Sequence, residues 1–409
     1  MSAVQSSLHG AEAQGVAAPP LAGVRIIAVE QYGAGPFGTQ HLADLGAEVI
    51  KIENPHDGGD VGRAVGPHYF GPGDSHFYQS FNRNKKSITL DLKTAQGQEV
   101  LRALAADADV VFNNLRGDLP AKLGLTYDRL RDVNPRIVCG HLSAYGRTGS
   151  RAAWPGYDYL MQAEAGYLSL TGEPDGPPAR MGLSIIDLMT GTTAAMGLLA
   201  GVISARASGQ GRDIDVSLFD VALHNLAYVA TWYLNAGKAI GREARSSHPS
   251  LTPSQLYRTQ DGWIFLMCNK EKFWGVLAEC IGRPEWAQAP HYKTFKDRLA
   301  HRDRLTAELD AVLQTATTAQ WMERFAGKVP AAPVYDVQQA LDSGFVAEQE
   351  RVLAFDHPGG PVRMVASPVR AGAHPVRSAP AMGADTEAVL RQAGYDEQAI
   401  LRLREHAVI

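Results

Sequence analysis

The order of apolar and polar positions divides the first half of the chain into alternating strand-like and helix-like segments. Gly23–Glu30 (GVRIIAVE) alternates and is β-branched, which predicts a strand. A glycine loop, Gly33–Gly38, follows; Pro36 suits a first helical turn, Phe37–Leu45 is amphipathic and Gly46 suits the helix C-terminus. Glu48–Glu53 (EVIKIE) predicts the second strand of a βαβ unit. Beyond a Gly-, Pro- and His-rich loop over Pro55–Gly73, strands are predicted over Ser87–Leu92, Asp109–Asn113 and Arg136–Leu142, alternating with helices over Ala95–Ala106 and Lys122–Asp132. Tyr159–Ala165 and the apolar run after Asp187 predict helices, Asp213–Leu218 a strand, and Asp220–Asn235 one long apolar helix. This is the pattern of an α/β domain with a mostly parallel sheet.

Between Ala236 and Pro253 the composition shifts to Gly, Arg, Ser, His and Pro, which marks a domain boundary. Gln255–Cys268 then reads as a hairpin turning at Gln260–Gly262, and helices around Lys272–Ile281, His301–Gln314 and Thr318–Ala326 complete a small α+β domain. The expected divisions are a flexible tail over 1–20, a large domain over 21–225, a linker over 226–250, the small domain over 251–330, and a final stretch over 331–409. That stretch ends in two helices, Thr386–Gln392 and Glu397–Glu405.

Composition narrows the functional classes. With 409 residues and 45% hydrophobic content, the chain can bury more than one core. A net charge of −4 and a pI near 6.4 supply no basic stripe, so nucleic acid is disfavoured as a partner. Three scattered cysteines, Cys139, Cys268 and Cys280, without C-x-x-C spacing, argue against disulfides and structural zinc and for a reducing, cytoplasmic setting. Residues 1–20 contain neither a basic n-region nor an apolar h-region. Leu188–Ala205 is long enough to raise the question of a membrane span. Its Gly, Ala and Thr content and its lack of flanking anchors predict a buried or interface helix instead, and Gly197-x-x-x-Gly201 would admit a second backbone.

Candidate chemistry begins at Asp187, which heads eighteen consecutive uncharged residues, Leu188–Ala205. It reads either as a helix N-cap or as a carboxylate kept dry in order to react. Gly33-x-Gly35-x-x-Gly38, with Glu53 ending the next strand, matches a dinucleotide-binding fingerprint and so admits a nicotinamide-dependent oxidoreductase. Pro36 weakens that match by removing an N–H from the helix start; the other reading is a turn where a second backbone or a substrate comes close. No G-x-S-x-G is present, His141, His224 and His248 each stand alone, and no His/Cys/Asp set has metal-ligand spacing, so no metal is expected. Lys85, Lys86, Lys93, Arg116 and Lys122 form a loose basic set near strand ends; singly they read as solvated surface charges. Asp158, in Pro155-Gly-Tyr-Asp-Tyr159, offers a second carboxylate that is either another cap or a partner for Asp187.

Taken together, Ala34-Gly-Pro36, Asp44–Glu53, Asn82-Arg-Asn-Lys-Lys-Ser87, Gly156-Tyr-Asp158, Ile186–Gly191 and Asp215-Val-Ser-Leu218 resemble the class III CoA-transferases, the CaiB/BaiF family. The resemblance runs in order from about Leu21 to the C-terminus. It implies a Rossmann-like large domain built from both chain ends, an inserted small α+β domain, and an interlocked dimer, either of this chain or with a paralogous subunit. By the same resemblance, Asp187 is the catalytic nucleophile that passes through mixed-anhydride and aspartyl-CoA thioester states. Gln31, Tyr32, Gly33, Tyr157 and Asp158 then belong to the acyl pocket, and Leu90, Lys93, Asn114, Leu115, Arg116 and Lys122 to CoA binding. CoA enters as the substrate thioester, with no tightly bound cofactor. Succinyl-CoA is a frequent donor in the family, and a dicarboxylic or related acid is the expected acceptor.

Two departures from the family pattern refine these expectations. Tyr157 stands where racemases of the family carry a histidine, which speaks against the alternative of α-methylacyl-CoA racemase-like activity. Ser246–Thr252 stands where formyl-CoA transferases carry a glycine-rich lid, which speaks against exchange between oxalate and formate. A non-catalytic CoA-binding subunit is a third reading.

Overall fold

In the computed structural model, which describes residues 18–372 and 376–409, six strands build one sheet. Across it the strands run Lys86–Thr89, Glu48–Glu53, Arg25–Val29, Val110–Asn113, Val138–Ser143 and Arg212–Ser217, and every neighbouring pair is parallel. In chain order that is 3-2-1-4-5-6, a doubly wound sheet whose strand order reverses between Arg25–Val29 and Val110–Asn113. Ligands in such sheets bind at the carboxyl ends of the strands flanking the reversal.

The central strands are short and buried on both faces as parallel strands require, Arg25–Val29 and Val110–Asn113 being rich in β-branched residues. Ile27, Ile50, Ile88 and Val111 share one core with Val100, Leu101 and Leu104 of helix Ala95–Ala106. Val389, Leu390, Ile400 and Leu403, from the last two helices, enter that same core, so early and late parts of the chain fold as one body. Each fully buried apolar side chain of this kind stabilises the fold by about 1.5–3 kcal/mol.

The chain separates into two compact units. One holds the parallel sheet and takes in residues up to 161, 184–224 and 350–409; the other takes in 162–183 and 225–349. Within the second unit, Ala331–Pro333, Trp263–Met267 and Ser254–Arg258 form an antiparallel sheet over a core containing Trp274, Leu309, Trp321 and Phe325. The expected 251–330 block lies inside this unit, which also takes in 162–183 and 331–349. Residues 1–17 of the expected tail lie outside the described residues.

Several elements differ from expectation for identifiable reasons. The glycine run is helical rather than a loop: the helix spans Ala34–Asp44 with Gly33 at its N-cap position. Only Tyr127–Leu130 of the expected Lys122–Asp132 helix forms, because Gly124 takes φ +71° and interrupts it. The expected Asp220–Asn235 helix is two, Leu218–Asn225 and Ala227–Ala236, broken where Ala227 adopts φ +46°. The apolar helix Ile185–Ser208 has the length and composition of a membrane span, with a mean hydropathy of 1.5. It packs against strands Val138–Ser143 and Arg212–Ser217 and crosses helix Ala34–Asp44, burying Ile186, Ala194, Leu198, Val202 and Ala205.

Candidate active site

The crossing of helices Ala34–Asp44 and Ile185–Ser208 sets the site. A Cβ added to Gly38 would stand 2.4 Å from the Gly191 carbonyl oxygen, and one added to Gly191 would stand 2.3 Å from that of Ala34. Backbone therefore meets backbone, which only glycine allows. At the head of the crossing Gly33 lies against Asp187: a Cβ there would be 3.2 Å from Asp187 Oδ2.

Asp187 is not an N-cap. Its helix begins two residues earlier, and Ser184 holds the cap position without a side-chain capping bond. The capping function comes from another helix: Asp158, 3% exposed, accepts the Asp187 backbone N–H at 2.9 Å through Oδ2. The Asp187 side chain is left to the cavity in front of it. Burial, and then the neighbouring Asp158 charge, push its carboxyl up from 3.8 to about 7. Near neutral pH the group is therefore split between acid and carboxylate, a poise suited to a group that must react in one form.

The turn opposite is held from two sides. The Asn114 carboxamide accepts the Gln31 N–H at 2.8 Å and donates to the Gln31 carbonyl at 2.7 Å. Tyr32 adopts φ +67° and donates its N–H to Asp60 Oδ1 at 2.8 Å. Gln31, Tyr32, Gly33, Asn114, Leu115, Arg116, Tyr157 and Asp187 line one cavity of about 300 Å³. Leu90 and Lys93 line a second, of about 250 Å³, which shares Gln31, Leu115 and Leu119 with the first. Both cavities lie at the carboxyl ends of the strands flanking the reversal in sheet order.

Other predicted positions fall elsewhere. The Asp158 carboxylate engages the backbone behind Asp187 and does not line either cavity. Lys122 lines neither; it pairs with Asp118 at 2.7 Å, as Arg116 does at 2.6 Å. Glu53 corrects the nicotinamide reading: it borders the second cavity but is 2% exposed, and its carboxylate is already taken by Arg63 at 2.6 Å and Ser87 at 2.6 Å rather than offered to a ribose hydroxyl. The glycines of that fingerprint are explained by close approaches within the fold: Gly38 meets the backbone of Gly191, Gly35 the Asn114 side chain and Gly33 that of Asp187. Lys85 is no solvated charge either, being fully buried against Glu30 at 2.7 Å. His141 is a satisfied buried histidine between Asn113 and Asp213.

Among the lining residues of the first cavity that the sequence did not single out are Ser143, Ala144, Trp154 and Leu218. Ser143 ends a parallel strand, and the strand-end rule would have flagged it. Nothing in the local sequence points to Trp154 or to Asp60.

The sequence model of CoA-transferase family III matches residues 21–386. The chain is 36% identical to the succinate–glutarate CoA-transferase of Agrobacterium fabrum over 78% of its own length and 81% of that protein's. It is 32% identical to the human succinyl-CoA:glutarate CoA-transferase, over 95% and 90%. Among solved structures, a CAIB/BAIF family protein from Brucella suis superposes with a TM-score of 0.80 at 31% identity, covering 92% of this chain and 100% of that one.

Proposed function

The chain belongs to CoA-transferase family III, and from that premise we propose that it transfers CoA through Asp187, from an acyl-CoA donor such as succinyl-CoA to a carboxylic acid. The observation that carries this reading is the Asp187 carboxylate itself. It is half-buried, raised to about 7, pressed against Gly33, and open to a cavity at the position where α/β sheets hold ligands.

The Asp187 carboxylate attacks the donor thioester carbonyl, and the C–S bond breaks to give an aspartyl anhydride and CoA thiolate. The thiolate then attacks the Asp187 carbonyl of the anhydride, releasing the donor acid and leaving CoA on Asp187 as a thioester. The acceptor carboxylate attacks that thioester and repeats the two steps in reverse, so one thioester is exchanged for another. A carboxylate is the nucleophile that can form an anhydride, and the apolar side chains Leu115, Leu142 and Leu218 border the cavity in which it would form. Backbone N–H groups at the head of helix Ala34–Asp44 face developing oxyanion charge.

Leu90 and Lys93 in the second cavity, Leu115 shared by the two, and Asn114 and Arg116 in the first are assigned to CoA, and Lys122 adds positive charge nearby. Gln31, Tyr32, Gly33 and Tyr157 border the acyl group, with Asp158 behind Asp187. We assign the protein to the cytoplasm and to a dimer of this chain. Helix Ala227–Ala236 supports the dimer, since it buries none of its residues and leaves Tyr228, Tyr233 and Leu234 more than half exposed; a paralogous chain is the other candidate partner.

The test is a screen of acyl-CoA donors against carboxylic acids, oxalate included, read by the masses of the CoA esters formed. Exchange between succinyl-CoA and a second acid, abolished in Asp187→Ala, is the expected result. Full exchange in Asp187→Ala would sink the proposal. Sedimentation as a monomer would remove the dimer.

A further inference from the structure

A buried ionic cluster that the chemistry above does not use borders the second cavity, which Asp60 helps to line. Lys51 and Asp60 pair at 2.6 Å with both side chains fully buried, and Lys51 also donates to Asn82. Asp60 Oδ1 accepts two backbone N–H groups, from Gly62 at 2.7 Å and from Tyr32 at 2.8 Å. The second of these bonds is the informative one. Tyr32 has φ +67°, a left-handed conformation that a tyrosine holds only when its surroundings impose it. Its neighbour Gln31 is clamped through both backbone groups by Asn114, and its other neighbour, Gly33, touches Asp187.

We propose that Asp60 is a positioning residue for CoA transfer: through the Tyr32 N–H it fixes the 31–33 turn, and with it the backbone that faces the Asp187 carboxylate. This rests on the reading of Asp187 as the nucleophile. Asp60 receives the turn on a carboxylate that Lys51 and the Gly62 N–H already hold, so its oxygen stays where the Tyr32 N–H needs it. Asn114 fixes the entry to the turn and Asp60 its centre. Together they set how closely Gly33 and the following N–H groups approach the reacting carbonyl. A loosened turn misaligns the anhydride steps and admits water, so a thioester or anhydride is lost to hydrolysis instead of reaching the acceptor acid.

Three variants separate positioning from folding. Asp60→Ala removes the acceptor of the Tyr32 N–H. Asp60→Asn keeps an acceptor oxygen there but loses the charge that pairs with Lys51. Lys51→Met loses the pair and keeps the acceptor. The readouts are kcat, the KM for acyl-CoA, and the ratio of acyl-CoA hydrolysed to CoA transferred, with circular dichroism to confirm folding. Asp60→Ala is expected to lower kcat for transfer by about 10- to 100-fold and to raise the hydrolysis ratio, with KM little changed. Asp60→Asn and Lys51→Met should recover most of the transfer and the wild-type ratio. If Asp60→Ala fails to fold, the double variant Lys51→Met/Asp60→Leu, which removes the acceptor without leaving a buried charge unpaired, takes its place. A raised hydrolysis ratio in Lys51→Met, or a folded Asp60→Ala that partitions like wild type, overturns the proposal. Mapping the Asp187 adduct in the wild type in parallel separates the cases: no adduct there defeats the mechanism itself, whereas an adduct with unchanged partition defeats only the role of Asp60.

Discussion

Replacing Asp187 with asparagine should abolish transfer and yet stabilise the protein in a pH-dependent way. The carboxyl stands at about 7 in the fold against 3.8 as its ordinary value, because burial and the Asp158 charge disfavour its ionised form. Below pH ~3.8 the folded and unfolded groups both carry the proton, so the substitution gains nothing from this source. Between pH ~3.8 and ~7 the unfolded chain ionises first, and wild-type stability falls as pH rises. Above pH ~7 the full penalty applies, at most about 4 kcal/mol for a displacement of this size. The same linkage gives about 1.5 kcal/mol at pH ~5. Asparagine nearly matches the side chain in size and does not titrate. Urea unfolding of wild type and Asp187→Asn, at pH ~5 and ~8.5, should therefore show a gain that grows by about 2.5 kcal/mol between the two. An equal gain at both pH values, or destabilisation at the higher one, would refute the view that the fold strains this carboxylate.

Three further outcomes follow from the same geometry. Asp158→Asn keeps an oxygen for the Asp187 N–H but removes the neighbouring charge, so the acidic limb of kcat against pH should move to lower pH; an unmoved limb would show that Asp158 exerts no field on Asp187. Gly33→Ala places a methyl group 3.2 Å from Asp187 Oδ2, and should cost about 10- to 100-fold in kcat with the melting temperature nearly unchanged; wild-type turnover would contradict the close approach. Gly191→Ala would put a Cβ 2.3 Å from the Ala34 carbonyl oxygen and force the two helices apart, at a cost of about 2–4 kcal/mol in urea unfolding; a neutral result would mean that the crossing is looser than drawn.

The strand and helix pattern was legible wherever burial enforces a strict period. Glu48–Glu53, Ala95–Ala106, Thr386–Gln392 and Glu397–Glu405 form with the bounds their periodicity predicts. The breaks were not, because they depend on single backbone angles: Gly124 and Ala227 interrupt runs whose composition is helical throughout. The glycine run deceived for a related reason. Its spacing is the one a phosphate-binding loop requires, but glycine serves any close approach, and here the second backbone is that of helix Ile185–Ser208. Asp187 could be singled out because it is the one charge at the head of a long apolar run. Asp60 could not, since what distinguishes it is a partner 28 residues earlier in the chain, and only the folded structure brings Tyr32 to it. Lys85 shows the same limit from the other side: a lysine among lysines reads as surface until its carboxylate partner, Glu30, is found buried at the end of a central strand.

The central claim is that Asp187 becomes acylated during turnover, and covalent trapping tests it most directly. The enzyme is incubated with an acyl-CoA that the screen shows to be a donor, quenched with hydroxylamine, digested, and its peptides mapped by mass. The account predicts a hydroxamate on the peptide that contains Leu183–Gly191, located at Asp187 and absent from Asp187→Asn. A hydroxamate at another carboxylate, or an unmodified peptide while CoA is being transferred, would contradict it.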